Sequence, residues 1–123
     1  MIDCALIIDD DEETHLMTAH LLRQSGLIKT IASAASGEEA LNLMQEGLKA
    51  SIILLDIHMP MMSGWQFIEE CEKLKLDMPK IAILTVSVEE KDRLKAKKYN
   101  YPFLQKPLTK SLLENMLHDI RKC

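Results

Sequence analysis

Five short apolar runs, each followed by a stretch with helical signals, constrain this chain more than any other feature. The runs are CALII (4–8), LIKTIAS (27–33), SIILL (51–55), KIAIL (80–84) and YPFL (101–104). Each is short enough for a strand, and rich enough in Ile, Leu or aromatic residues to be buried on both faces. Ser36 with Glu39 and Ser63 with Gln66 have capping-box spacing, and Ser87 with Glu90 opens a third helix in the same way. Residues 12–25 carry Leu16, Ala19 and Leu22 on one stripe, with acids in the first turn where the helix dipole favours them. Thr109 caps a last helix whose apolar positions are Leu112, Leu113, Met116, Leu117 and Ile120. The segment EEKDRLKAKK (89–98) offers only Leu94 and Ala96 among its charges and is expected to be the least anchored helix. Strand and helix thus alternate five times. Parallel neighbours need crossover connections, so the expected fold is α/β: a doubly wound five-stranded parallel sheet of (βα)5 units, one domain over residues 1–123.

Composition narrows what such a domain does. A formal charge of -4 argues against nucleic acid, which calls for a basic patch or stripe. No apolar run reaches the length of a membrane span. The start, MIDCALIIDDDEE, lacks the basic opening of a secretory signal and turns acidic early. Cys4, Cys71 and Cys123 are odd in number and far apart; they fit neither a disulfide framework nor zinc spacing and read as small packing residues. The expected compartment is the reducing cytoplasm.

In a parallel sheet the strand C-termini share one edge, and ligands bind in the crevice there. Asp9, Asp10 and Asp11 follow the first run, Asp56 the third, Thr85 the fourth, and Lys106 with Pro107 the fifth; the second is followed only by Ala34, Ala35 and Ser36. Crowded carboxylates repel one another, so such a group takes up protons or holds a cation. Oxygen ligands without His or Cys spacing favour a hard ion such as Mg2+. A hydroxyl and a lysine beside it make a receptor for a phosphoryl group, whose transfer requires mainly positioning and charge neutralisation. An aspartate can itself be the nucleophile, giving an acyl phosphate. Pro60 and Gly64 suit the tight turn from the third strand into the next helix. Met59, Met61 and Met62 read as loop or core packing, and His15, His20 and His118 as surface or helix-face residues.

The stretches ALIIDDD, ILLDIHMPMMSGWQF, AILTVS and FLQKPL, in this order and at these separations, resemble the receiver domain of bacterial two-component response regulators from end to end. The resemblance implies a flavodoxin-like strand order 2-1-3-4-5. It implies that Asp56 accepts a phosphoryl group, with Mg2+ held by Asp10, Asp56 and the backbone carbonyl of His58 and assisted by Asp9. Within the run of three aspartates, Asp9 and Asp10 are taken because they directly follow LII. Thr85 and Lys106 would bind phosphoryl oxygens, Phe103 stands at the family's switching aromatic, and the Lys106–Pro107 bond is commonly cis in that family. Val86 stands where a smaller residue is usual, and His58 where asparagine is frequent. The side chains of His58 and Ser87 flank the site, where they would tune the lifetime of the phosphate.

The expected function is therefore a phosphorylation switch without an attached output domain, a signalling phosphoacceptor rather than an enzyme. Its donor would be a sensor histidine kinase or histidine phosphotransfer protein. Its output would be read by a downstream protein on the 89–121 face, with the chain a monomer or weak homodimer. Two competitors differ in class. A haloacid dehalogenase-like phosphatase would use the Asp9-x-Asp11 pair, but such enzymes usually have threonine or valine where Glu13 stands. A receiver-like interaction module that no longer takes phosphate would typically lack one of the acids, the hydroxyl or the lysine, and all are present.

Overall fold

A computed structural model describes residues 2–86 and 89–122, the side chains of Arg121 and Lys122 excepted. Its elements are β1 (Ile2–Ile8), α1 (Glu12–Ser25), β2 (Ile28–Ala34), α2 (Gly37–Gln45), β3 (Ile52–Asp56), α3 (Gly64–Lys73), β4 (Lys80–Thr85), α4 (Glu90–Lys98), β5 (Phe103–Gln105) and α5 (Lys110–Lys122). The strands form one sheet, all neighbours parallel, in the order β2-β1-β3-β4-β5. This is the doubly wound, flavodoxin-like arrangement expected. No helix among the described residues is long and apolar enough to cross a membrane.

The central strands explain the two-sided core. All of β3 is buried, and because side chains alternate across a strand its residues divide between two faces. Leu6, Ile8, Ile53, Leu55, Ile81 and Ile83 pack with Phe67, Ile68 and Cys71 of α3 and Ala96 of α4. On the other face Ala5, Ile7, Ile52, Leu54, Ala82 and Leu84 meet Ala19 and Leu22 of α1 and Leu113, Met116 and Leu117 of α5. Helices α2, α3 and α4 thus cover one face, and α1 and α5 the other.

The edges depart from expectation. Strand β2 keeps only its last residue fully buried, and β5 is three residues long with none buried. An edge strand has a neighbour on one side only and lies at the margin of the covering helices, so burial on both faces fails there. Three helical leucines are also turned outward: Leu16 is 62% exposed, Leu94 57% and Leu112 44%. In α1 the buried residues are Thr18, Ala19 and Leu22; in α4 they are Asp92 and Ala96. The weak helix is therefore held by a carboxylate and a methyl, one turn apart, and not by its leucine.

Helix starts follow the sequence at Ser63, Ser36 and Thr109. Ser63 Oγ accepts the Gln66 N–H at 3.2 Å while the Gln66 carboxamide oxygen accepts the Ser63 N–H at 2.9 Å, a complete capping box. Ser36 accepts the Glu39 N–H at 3.1 Å, but the Glu39 carboxylate reaches the N–H of Ala35 instead of Ser36. Helix α4 begins at Glu90 with Glu89 in the capping position and no side-chain cap from Glu89. Ser87 itself lies outside the described residues. At the last helix, Thr109 Oγ1 accepts the Leu112 N–H at 3.2 Å, as expected.

Candidate functional site

Parallel pairing brings the ends of β1, β3, β4 and β5 to one edge, and the polar residues there are buried. Asp9 is 3% exposed, Asp56 6%, Thr85 0% and Lys106 8%, although strand ends beside loops are normally wet. Lys106 Nζ lies 2.5 Å from Asp9 Oδ2 and 3.6 Å from Asp56 Oδ2, spanning the sheet edge between the two acids. The Lys106 N–H donates to the carbonyl of Thr85 at 2.8 Å, which sets the lysine's depth, and the Lys106–Pro107 peptide is cis.

The three aspartates after β1 separate by role. Carboxylate oxygens of Asp9, Asp10 and Asp56 lie within 4.8 Å of one another. Asp11 occupies the N-cap position of α1; its carboxylate accepts the Thr14 hydroxyl at 2.6 Å, and its N–H donates to Asp9 Oδ1 at 2.9 Å. The Thr14 hydroxyl holds the Asp11 carboxyl below the usual range. Asp11 is thus engaged with α1, and Asp9 and Asp10 are the pair that face Asp56.

The loop after β3 is built tightly around Asp56. The His58 N–H donates to Asp56 Oδ1 at 3.2 Å, and the Gly64 N–H donates to the Ile57 carbonyl at 3.0 Å. A Cβ on Gly64 would come within 2.8 Å of both the Asp56 carbonyl oxygen and Ile57 Cα, so α3 can start this close to the strand end only with glycine there. Met59 is buried and Met62 packs against the core, whereas Met61 is fully exposed with φ of 70°.

Burial pushes the Asp56 carboxyl up to about 6, from an ordinary 3.8; Lys106 and the His58 N–H pull it down, while Asp9 and Asp10 add to the rise. Among the described residues, one ammonium group, that of Lys106, stands against the three carboxylates. The donor set is all oxygen and its charge is under-neutralised, so it suits a hard divalent cation such as Mg2+.

The remaining sequence-derived residues stand around this group. Val86, 67% exposed, lines a shallow hollow with Met17, Thr18, Lys106 and Leu108. Phe103 is half-buried, with the Arg93 guanidinium 5.8 Å above its ring. The His58 side chain points toward α4, its Nε2 3.6 Å from Asp92 Oδ2. Asp92 Oδ1 accepts the Trp65 indole N–H at 2.9 Å, and Trp65 stacks on Tyr99 at 6.5 Å between ring centroids. Sequence reading missed this link because Trp65 and Asp92 are 27 positions apart. One signal was available: in EEKDRLKAKK, Asp92 precedes the buried Ala96 by one helical turn, a carboxylate on an inward stripe.

Comparison with known proteins agrees with the geometry. The family model described as the response regulator receiver domain matches residues 5–118. Over 95% of its length the chain is 27% identical to a protein-glutamate methylesterase/protein-glutamine glutaminase of Clostridium acetobutylicum, and it spans only 34% of that relative. It is 28% identical to two-component response regulator 24 of Arabidopsis thaliana, over 94% of the chain and 82% of the relative. A crystal structure of a two component response regulator from Cytophaga hutchinsonii superimposes with a TM-score of 0.87 at 29% identity, covering 99% of this chain and 98% of that one. The chain belongs to the response regulator receiver domain family, which carries a phosphoacceptor role in two-component signalling.

Proposed function

We propose that Asp56 takes a phosphoryl group from the phosphohistidine of a sensor histidine kinase or histidine phosphotransfer protein, in a Mg2+-dependent reaction in the cytoplasm. The observation that carries this reading is Lys106 Nζ held between buried Asp9 and Asp56 at the end of the sheet. In the transfer, an Asp56 carboxylate oxygen attacks phosphorus, the P–N bond breaks and the donor histidine leaves with the bonding pair. The product is an acyl phosphate on Asp56.

Asp9, Asp10, Asp56 and the backbone carbonyl of His58 would hold Mg2+, which supplies positive charge against the phosphoryl oxygens. The chain's own groups do the rest. The His58 N–H on Asp56 Oδ1 fixes the carboxylate plane, leaving Oδ2 on the Lys106 side. Lys106 then serves the added negative charge as well as Asp9, and the Thr85 hydroxyl donates to a phosphoryl oxygen. Val86, at the hollow beside Lys106, together with Ser87 and His58 would tune how fast water removes the phosphate.

The switch follows from Thr85. Drawn toward the phosphoryl group, it shifts the loop after β4, Phe103 repacks inward, and the face of α4, β5 and α5 over 89–121 changes for a downstream protein. A phosphate that bonds better in one arrangement biases the equilibrium between two. The test is incubation with acetyl phosphate, with Mg2+ or with EDTA, followed by acid quench and intact mass. One phosphoryl group is expected on wild type with Mg2+ only, and none on Asp56→Asn. No gain on wild type, or a gain on the variant, would refute the assignment.

A further inference from the structure

Apart from the acidic cluster, the fold brings together a second set of ligand-type side chains. The His58 imidazole, Glu89 and Asp92 each present one ligand atom, and these atoms all lie within 4.8 Å of one another. They come from the loop after β3 and the start of α4, and the phosphoacceptor chemistry proposed above uses none of these atoms in a bond.

Asp92 is a buried carboxylate with one of its two oxygens unsatisfied among the described residues. It is 5% exposed, and its Oδ1 accepts the Trp65 N–H. Its Oδ2 is buried, accepts no hydrogen bond among the described residues, and faces His58 Nε2. A buried carboxylate oxygen with no partner costs about 1–3 kcal/mol or more. The 3.6 Å from Nε2 to Oδ2 is too long for an N–H···O bond, which falls at about 2.7–3.2 Å. It is close to the separation of about 3.3 Å between two ligands at a tetrahedral angle, each about 2.05 Å from an ion.

We propose that His58 Nε2, Asp92 Oδ2 and a Glu89 carboxylate oxygen form a second cation site, for a first-row divalent transition ion of the Zn2+ class. An imidazole with two carboxylates is a ligand set for such ions, whereas Mg2+ prefers all-oxygen surroundings and keeps its waters. Three protein ligands leave the fourth tetrahedral position to water. The Trp65 N–H on Asp92 Oδ1 orients the ligating carboxylate, as hydrogen-bonded partners of metal ligands do. Glu89 is free to close on the ion: its side chain is 48% exposed, and the ion pair it makes with Lys91 at 3.4 Å is exposed and weak. An ion there ties the loop that carries the Asp56 contacts to the first turn of α4.

The test is calorimetric titration of the full chain with Zn2+ in buffer already saturated with Mg2+, which occupies the all-oxygen cluster. Visible absorption of the Co2+ form is read in parallel. One equivalent is expected to bind, with the intense bands of a four-coordinate Co2+ site, and His58→Ala and Asp92→Asn are each expected to weaken binding at least tenfold. No Zn2+ binding by wild type would overturn the site. So would equal affinity in wild type and His58→Ala, since the ion would then sit on the aspartate cluster or on thiols. Circular dichroism checks folding; if neither variant folds, Glu89→Gln, altered at an exposed residue, decides, and unchanged affinity there overturns the site. The readout is Zn2+ affinity, so the outcome does not depend on whether Asp56 is phosphorylated.

Discussion

Asp56→Asn is expected to make the protein more stable, and only above the pH at which Asp56 ionises. The Asp56 side chain is 9% exposed, and its carboxyl is raised from 3.8 to about 6, burial being the largest cause. A rise of about two pH units corresponds to about 3 kcal/mol at about 1.4 kcal/mol per unit. Solvent at the mouth of the site screens part of this, leaving roughly 1–2 kcal/mol. Between pH 3.8 and about 6 the folded protein keeps a proton that the unfolded chain has released. The stability from the raised group is therefore full below its unfolded value and is lost as pH rises through its folded value. Asparagine has no proton to lose, and its carboxamide oxygen still accepts the His58 N–H. The variant should match wild type near pH 4 and exceed it by roughly 1–2 kcal/mol above pH 7. Urea unfolding of both proteins in EDTA from pH 4 to pH 8 measures this, because titrating groups remote from Asp56 are common to both and cancel, leaving Asp56 and its coupling to Lys106, Asp9 and Asp10. Adding Mg2+ at pH 8 should narrow the gap. Parallel pH profiles, or a more stable wild type at pH 8, would mean that Lys106 already compensates the Asp56 charge and that the electrostatic account is wrong.

Other substitutions probe the same frame. Lys106→Met removes the cation that pairs with two buried acids and should destabilise by about 3 kcal/mol in EDTA, with partial recovery in Mg2+, read by the same urea titrations. Gly64→Ala puts a methyl 2.8 Å from the backbone of Asp56 and Ile57, atoms that cannot swing aside; a loss of about 1–3 kcal/mol and weaker Mg2+ binding are expected from unfolding and titration. Trp65→Phe removes the donor to Asp92 Oδ1 and leaves both oxygens of a buried carboxylate without a hydrogen bond, for a loss of about 1–3 kcal/mol in thermal or urea unfolding.

The alternation of apolar runs and helix caps made the sheet and its functional edge legible, because buried parallel strands and capping boxes leave local signatures. The residues that depend on long-range packing were less legible. Leu16, Leu94 and Leu112 fit their stripes by spacing yet point to solvent, since the breadth of each buried stripe depends on the neighbouring helices and not on the helix itself. The position of a strand within the sheet, which exposes β2 and shortens β5, has no local signal either. At the site, Asp9, Asp56, Thr85 and Lys106 could be read from strand ends, whereas the aspartate register needed the Thr14 hydroxyl that engages Asp11. The link from His58 and Trp65 to Asp92 left only the local signal of Asp92 one turn before Ala96, because no periodicity joins a loop after β3 to a helix after β4.

The most direct test of the central claim is to locate the acyl phosphate chemically. After reaction with Mg2+ and acetyl phosphate, borohydride reduces an aspartyl phosphate to homoserine, and peptide mass spectrometry finds the converted position. Homoserine is expected at position 56 and at no other aspartate. Conversion at Asp9, Asp10 or Asp11, or at no position, would contradict it.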